Sequence, residues 1–160
     1  MSLKHLLLFI LATLSLWADA SGFKETRYIY ALDKNIVFEG FITFGEQNII
    51  IEYAKPDFKV LTYFEGKLSI QDNNGFTMAD ATTPTMHYFF MIIQAVHDDN
   101  RLLLDSFFTA TQKGNETILS PKGVTADILD EVIITKQNNV LKSLHVKIKN
   151  GDRITIDIMD

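Results

Sequence analysis

Cysteine is absent from the sequence, which excludes a disulfide framework, a thiolate metal site and a cysteine nucleophile. Proline is nearly as scarce: Pro56, Pro84 and Pro121 are the whole set, and each stands near the boundary of a predicted element. No linker, low-complexity tract or repeat of fixed period divides residues 21 to 160. Positive charge is not in excess either; the formal net charge is -5, the opposite of the basic face that a general nucleic-acid binder presents. Glycine-rich phosphate loops and nucleophile-elbow serines are missing. His87, His97 and His145 stand at no metal-ligand spacing, and the positions expected for them, a helix end or a wet strand face, suit surface or capping roles. Asp98, Asp99 and Asp105 beside Arg101 read as a solvated loop rather than as paired carboxylates for acid/base work. These absences point away from an enzyme and from any bound cofactor or metal.

What is present begins with Lys4, the apolar stretch Leu6 to Trp17 and then Ala18-Asp19-Ala20. Charged, apolar and small residues in that order form the pattern of a cleavable signal peptide over residues 1–20, and the apolar stretch is too short to span a bilayer comfortably. Residues 21–160 are expected to form one exported domain, long enough to bury a single core and too short for two ordinary ones.

Most of that domain alternates apolar and polar residues with a period of two. Strands are predicted over 27–33, 36–44, 48–54, 58–64, 67–71, 76–79, 106–111, 116–119, 131–136, 140–149 and 153–159. The connections are as short as Glu65-Gly66, Asn150-Gly151-Asp152 and Gln137-Asn138-Asn139, which forces antiparallel neighbours, because a parallel crossover needs about a dozen residues or more. The expected fold is mostly β (β+α): a large antiparallel sheet of about 10–11 strands, curled on itself as sheets of that size tend to be. Ile154, Ile156 and Ile158 oppose Arg153, Thr155 and Asp157 on one strand, and Leu144, Val146 and Ile148 oppose Ser143, His145 and Lys147 on another. One face is therefore wet, and the other is an apolar set to which Ile49, Ile51 and Tyr53 also belong.

A single segment, Pro84 to Val96, breaks the alternation. It is helix-like and apolar almost all round, so it has no polar face with which to lie on a surface. Two readings stand. Met86, Phe89, Phe90, Met91, Ile92 and Ile93 either plug the core of a filled sheet or cap a cavity fit for an acyl chain. The basic residues Lys136, Lys142, Lys147, Lys149 and Arg153 gather near the last hairpin, where lysine commonly solvates a strand edge.

The order of these elements, with Ile49-Ile50-Ile51-Glu52-Tyr53-Ala54-Lys55-Pro56, Phe58-Lys59, the Gly66 turn, the Thr83-Pro84 opening of the helix, Phe107-Phe108 and Leu119-Ser120-Pro121-Lys122, resembles the periplasmic outer-membrane lipoprotein carrier (LolA-like) family, as a divergent member. The resemblance covers nearly all of residues 21–160. It implies an unclosed half-barrel capped by a helix, which shields acyl chains of a lipoprotein or related lipid and shuttles them through the periplasm. An inner-membrane release complex and an outer-membrane acceptor would be the partners, with the carrier a monomer. It also implies a lid contact at the residue before the proline, here Lys55 in place of the family's usual arginine, which has a planar fork that lysine lacks. The short segment from Ser21 departs from the family, whose members carry a first amphipathic helix there, and Val60 stands where an aromatic is usual. On this reading Tyr53, Phe58, Leu61, Tyr63, Phe89, Phe90, Ile92, Ile93, Val146 and Ile156 line or cap the cavity. The contrasting reading is a periplasmic interaction or assembly factor with a filled core.

Overall fold

The computed structural model describes residues 20–79 and 83–159. The expected signal peptide lies outside the described residues except for Ala20, which already belongs to the first strand.

The sheet forms in two meanders. The first runs through β1 (Ala20–Ile29), β2 (Lys34–Phe44), β3 (Asn48–Lys55), β4 (Lys59–Phe64), β5 (Lys67–Asp72) and β6 (Gly75–Ala79). The second runs through β7 (Phe108–Lys113), β8 (Glu116–Pro121), β9 (Leu129–Gln137), β10 (Val140–Ile148) and β11 (Arg153–Met159). Turn chemistry sets the hairpins. Glu65 and Gly66, at φ 48° and 75°, and Asn138 and Asn139, at φ 51° and 63°, have positive φ at both central positions. That is the sign pattern of a type I′ turn, whose twist matches that of the flanking strands.

The two meanders join where β1 pairs antiparallel with β11, placing Phe23 opposite Ile158 and Glu25 opposite Ile156. The resulting sheet has eleven strands in the order β6-β5-β4-β3-β2-β1-β11-β10-β9-β8-β7, in line with the expected curled, unclosed antiparallel architecture. Its two outer strands, β6 and β7, are consecutive in sequence. The chain between them must therefore travel from one edge of the sheet to the other, and it does so as two helices, α1 (Pro84–His97) and α2 (Arg101–Phe107).

Two local expectations are corrected. The first strand begins at Ala20 rather than Arg27; its inward positions are Phe23, Glu25 and Arg27, and the two charged residues hide the apolar alternation that marks the other strands. The stretch 98–105 is not all loop, nor does a strand open at Ser106. Asn100 Oδ1 accepts from the Leu103 N–H at 3.1 Å and starts α2, because an Asn at that position satisfies an otherwise unpaired amide. Leu103, Leu104 and Phe107 then pack half-buried against the core, so one expected helix becomes two.

The core occupies the inner face of the sheet: Phe23, Ile42, Ile49, Ile51, Leu68, Leu119, Val132, Leu144 and their neighbours are all nearly inaccessible. At Gly40, beside a register shift, β3 backbone lies close against β2. A β-carbon there would lie 1.8 Å from the Glu52 carbonyl oxygen. Gly40→Ala is therefore expected to separate the two strands locally at a cost of at least about 1–3 kcal/mol, which a thermal melt of the purified variant would register as a clear fall in Tm.

Candidate hydrophobic binding site

The site is built around α1. Pro84 occupies the first helical position, where its missing N–H is no loss, and the Thr83 hydroxyl accepts weakly from the Met86 amide at 3.4 Å. From Tyr88 to Ile93 six consecutive residues are buried, as are Ala95 and Val96. A helix buried on successive positions is buried on every side, which is what its lack of a polar face demands. The curled sheet supplies one wall and α2 another, with Tyr88 edge-on to Phe107 at 6.0 Å.

Ring contacts dominate the floor beneath α1. Phe90 stacks on Tyr63 with centroids 4.7 Å apart and planes 6° from parallel. His97 stacks on Phe44 at 4.0 Å at the far end of the helix. Hydrogen bonds tie α1 near its two ends, between the Tyr63 hydroxyl and His87 Nδ1 at 3.3 Å and from Lys136 Nζ to the Val96 carbonyl at 3.4 Å.

Beneath the first turns of α1 a polar cluster interrupts the apolar floor. Glu25 is 1% exposed. Its carboxylate accepts from Arg27 Nε and from the Tyr53 hydroxyl, the latter at 2.6 Å, and Arg27 also donates to the Tyr53 oxygen at 3.1 Å. The guanidinium lies 4.5 Å from the centre of the Phe38 ring, a cation–π distance. Burial pushes the Tyr53 phenol well above its ordinary range, with the Glu25 charge adding to the effect, so this hydroxyl stays protonated and donates. Burial works against the Arg27 charge, but the Glu25 carboxylate and, after it, the Tyr53 oxygen together more than offset it, so the guanidinium pKa is raised.

A cavity of about 100 Å³ remains between this cluster and the helix, bounded by Glu25, Arg27, Tyr53, Leu61, Ile154 and, from α1, Thr85, Met86, Phe89 and Phe90. Pockets that hold whole ligands run to roughly 300–1,000 Å³, so in this state α1 itself takes up most of the apolar volume. A wider cleft of about 640 Å³ opens at the other end of α1, walled by Val96, Leu104, Leu119 and Ile134 and rimmed by Asp99, Arg101, Asp105 and Lys136.

Nine of the ten residues expected to line the site, Tyr53, Leu61, Tyr63, Phe89, Phe90, Ile92, Ile93, Val146 and Ile156, fall into one buried cluster. The exception is Phe58, which precedes β4 and is 45% exposed; Leu61 and Tyr63 turn inward instead. Lys55 is also placed differently from the expected lid contact. Its side chain is 73% exposed and its ammonium sits 3.1 Å from Glu39 on the adjacent strand, while the cation beside the first turns of the helix is Arg27. Exposed pairs of this kind contribute about 0–1 kcal/mol, so Lys55→Ala is expected to leave the melting temperature within about 3 °C of the parent in a calorimetric scan.

The sequence reading missed Glu25, Arg27 and Thr85 as site residues, whereas Met86 was among the helix residues expected to plug the core or cap a cavity. The usable signal was the spacing Phe23, Glu25, Arg27, which puts an acid and a base on the same strand face as a buried aromatic. The basic residues near the last hairpin are engaged by neighbours: Lys147 with Glu131 at 2.6 Å, Lys149 with Asp130 at 3.1 Å, and Arg153 over the Tyr28 ring at 4.2 Å. His145 lies on the outer face, 3.0 Å from the Thr155 hydroxyl. Among the described residues no three His, Asp or Glu side chains converge in a group that could hold a metal ion, and no helix is long and apolar enough to cross a membrane.

No protein-family model matches the chain, and no curated protein does. Among solved structures the chain is similar to a LolA superfamily protein from Nitrosomonas europaea, at 8% identity over 88% of this chain and 83% of that one, with a TM-score of 0.41. It is also similar to a DUF1329 family protein from Desulfovibrio piger, at 9% identity over 95% of this chain and 88% of that one, with a TM-score of 0.41.

Proposed function

We propose that the protein is a carrier in which α1 is an exchangeable plug: an acyl chain takes the place of the helix's side chains against the concave face of the sheet. The observation that carries this reading is the manner in which α1 is held. It is joined to the two sheet edges by the chain itself and seated by apolar side chains, with side-chain hydrogen bonds to the sheet near its ends.

Magnitudes make the exchange reasonable. Uncovering Phe89, Phe90, Met91, Ile92, Ile93 and Val96 together costs on the order of 10 kcal/mol, at about 1.5–3 kcal/mol per large side chain. A bare cavity would therefore stay shut. An acyl chain of roughly fifteen methylenes, at about 0.8 kcal/mol each, returns the same order of free energy. Loading is then a replacement of one apolar surface by another, and no bond is made or broken. The cellular setting follows the resemblance: export by residues 1–20, a lipoprotein or related acylated lipid as cargo, and delivery between an inner-membrane donor and an outer-membrane acceptor.

A second reading has its own support. The close packing of α1 and the small size of the cavity beneath it also suit a permanently filled core, in a protein that acts through its exposed loops and edges. Native mass spectrometry separates the two. Protein expressed in a bacterial host with residues 1–20 in place is expected to be recovered from the periplasm with a mass starting at Ser21, and with an acylated molecule that lipid extraction releases. A clean apoprotein that also takes up no fluorescent fatty acyl probe would favour the filled core.

A further inference from the structure

The Glu25–Arg27–Tyr53 cluster has no counterpart elsewhere on the described inner face, which is otherwise apolar around it. A buried carboxylate is costly to keep unless it is paired and hydrogen-bonded, and here both of its oxygens accept bonds. The Glu25 carboxylate is thus fully used in holding its neighbours. Arg27 is not: a guanidinium carries five N–H donors, its Nε and one terminal nitrogen serve Glu25 and Tyr53, and its side chain keeps 38% of its surface accessible. Arg27 also borders the cavity under Phe89 and Phe90.

We propose that Arg27, held in place by Glu25 and Tyr53, is the polar anchor of the cargo site and receives the carbonyl oxygen of a neutral acyl ester or amide whose hydrocarbon chain runs beneath α1. This rests on the carrier reading and adds the class of head group to it. Neutrality follows from charge balance. The Glu25 carboxylate already cancels the Arg27 charge, so the site offers directed N–H donors without a net positive field; it suits an uncharged acceptor better than a free carboxylate, which would also face the Glu25 charge across the cluster. Tyr53, kept protonated by burial, orients the guanidinium by accepting one of its N–H groups while it donates to Glu25. Arg27 is thereby a ligand-contacting residue, and Glu25 and Tyr53 are positioning residues.

The test is displacement of the apolar fluorophore N-phenyl-1-naphthylamine by methyl decanoate, decanoate and decane, each below its aggregation limit. The intact protein is expected to bind the ester about tenfold more tightly than the alkane, as suits one hydrogen bond from a charged donor, and more tightly than the carboxylate. In the charge-neutral variant Glu25→Leu/Arg27→Met the ester-to-alkane ratio is expected to fall to near one. Arg27→Lys, which keeps the ion pair but loses the fork of donors, covers the case in which the double variant does not fold, and is expected to reduce the ratio at least threefold. Equal binding of ester and alkane by the intact protein, or a ratio unchanged in Arg27→Lys, overturns the anchor while leaving the carrier reading intact. Tighter binding of decanoate than of its ester overturns the neutral-acceptor assignment. Failure of fluorophore and all three ligands to bind overturns the anchor and the carrier reading together.

Discussion

Truncating Phe90 to alanine is expected to lower the stability of the protein by about 3–5 kcal/mol and, at the same time, to improve its uptake of apolar guests. Phe90 is 1% exposed, stacked face to face with Tyr63 and edge-on to Phe89 at 5.5 Å. Removing the ring forfeits its transfer free energy and leaves a void that the surrounding strands, fixed by an eleven-stranded ladder, cannot collapse to fill. That void merges with the cavity already present between α1 and the Glu25–Arg27–Tyr53 cluster. For a domain of this size the loss corresponds to a fall in Tm on the order of 10 °C. An apolar guest that binds the enlarged cavity returns part of it, since a ligand that binds only the folded state stabilises by mass action. Thermal melts of Phe90→Ala with and without a fluorescent acyl probe check both halves of the expectation.

The second large effect belongs to the buried ion pair. Arg27→Met leaves the Glu25 carboxylate in the core with the Tyr53 hydroxyl as its remaining partner among those described above, and breaking such a pair costs about 3–5 kcal/mol. The partial exposure of Arg27 places this case toward the lower end, because water screens the pair on that side. Glu25→Leu alone strands the Arg27 charge less severely, since the guanidinium can turn toward solvent and still meets the Phe38 ring. The double replacement Glu25→Leu/Arg27→Met is expected to recover most of the loss, as exchanging a buried pair for apolar groups of similar volume is often close to neutral. Urea titration of the two single variants and the double variant closes a double-mutant cycle, and the expected sign is a favourable coupling between the two charges. Additive losses would mean that the pair contributes nothing beyond its separate packing.

Much of this architecture is legible in the residues. Strict alternation in the last two strands, the Asn- and Gly-containing turns between them, and short connections throughout dictate an antiparallel meander. A helix without a polar face dictates its own burial. The failures have a common physical origin in positions where local pattern and tertiary placement diverge. At Glu25 and Arg27 the period of two persists, but charge replaces apolarity on the inner face, so the strand from Ala20 does not announce itself. In α2 a short helix is set by the Asn100 cap and by packing of Leu103, Leu104 and Phe107, which are long-range contacts that a window of seven residues does not reveal. Phe58 is apolar and stands one residue before a strand, yet it faces solvent because β4 begins at Lys59 and its inward positions are Leu61 and Tyr63. Likeness to an arginine points to Lys55, whereas the cation beside the first turns of the helix comes from β1, far away in sequence and adjacent only through strand pairing.

The absence of native cysteine makes the central claim directly measurable, since any thiol introduced is the sole one. Ile93 on α1 is 1% exposed and Ile156 on the floor of the sheet is 2% exposed, so a thiol at either position should react slowly in the free protein. The measurement is the labelling rate of Ile93→Cys and of Ile156→Cys, with and without an acyl ester. If the ligand replaces α1, the Ile93→Cys thiol reacts at least about tenfold faster when the ligand is added, as the helix is turned out, while the Ile156→Cys thiol becomes no more reactive because the guest covers it. If ligand leaves both rates unchanged, or if both thiols react only at the rate of global unfolding, α1 is a permanent part of the core and the exchangeable-plug account is wrong.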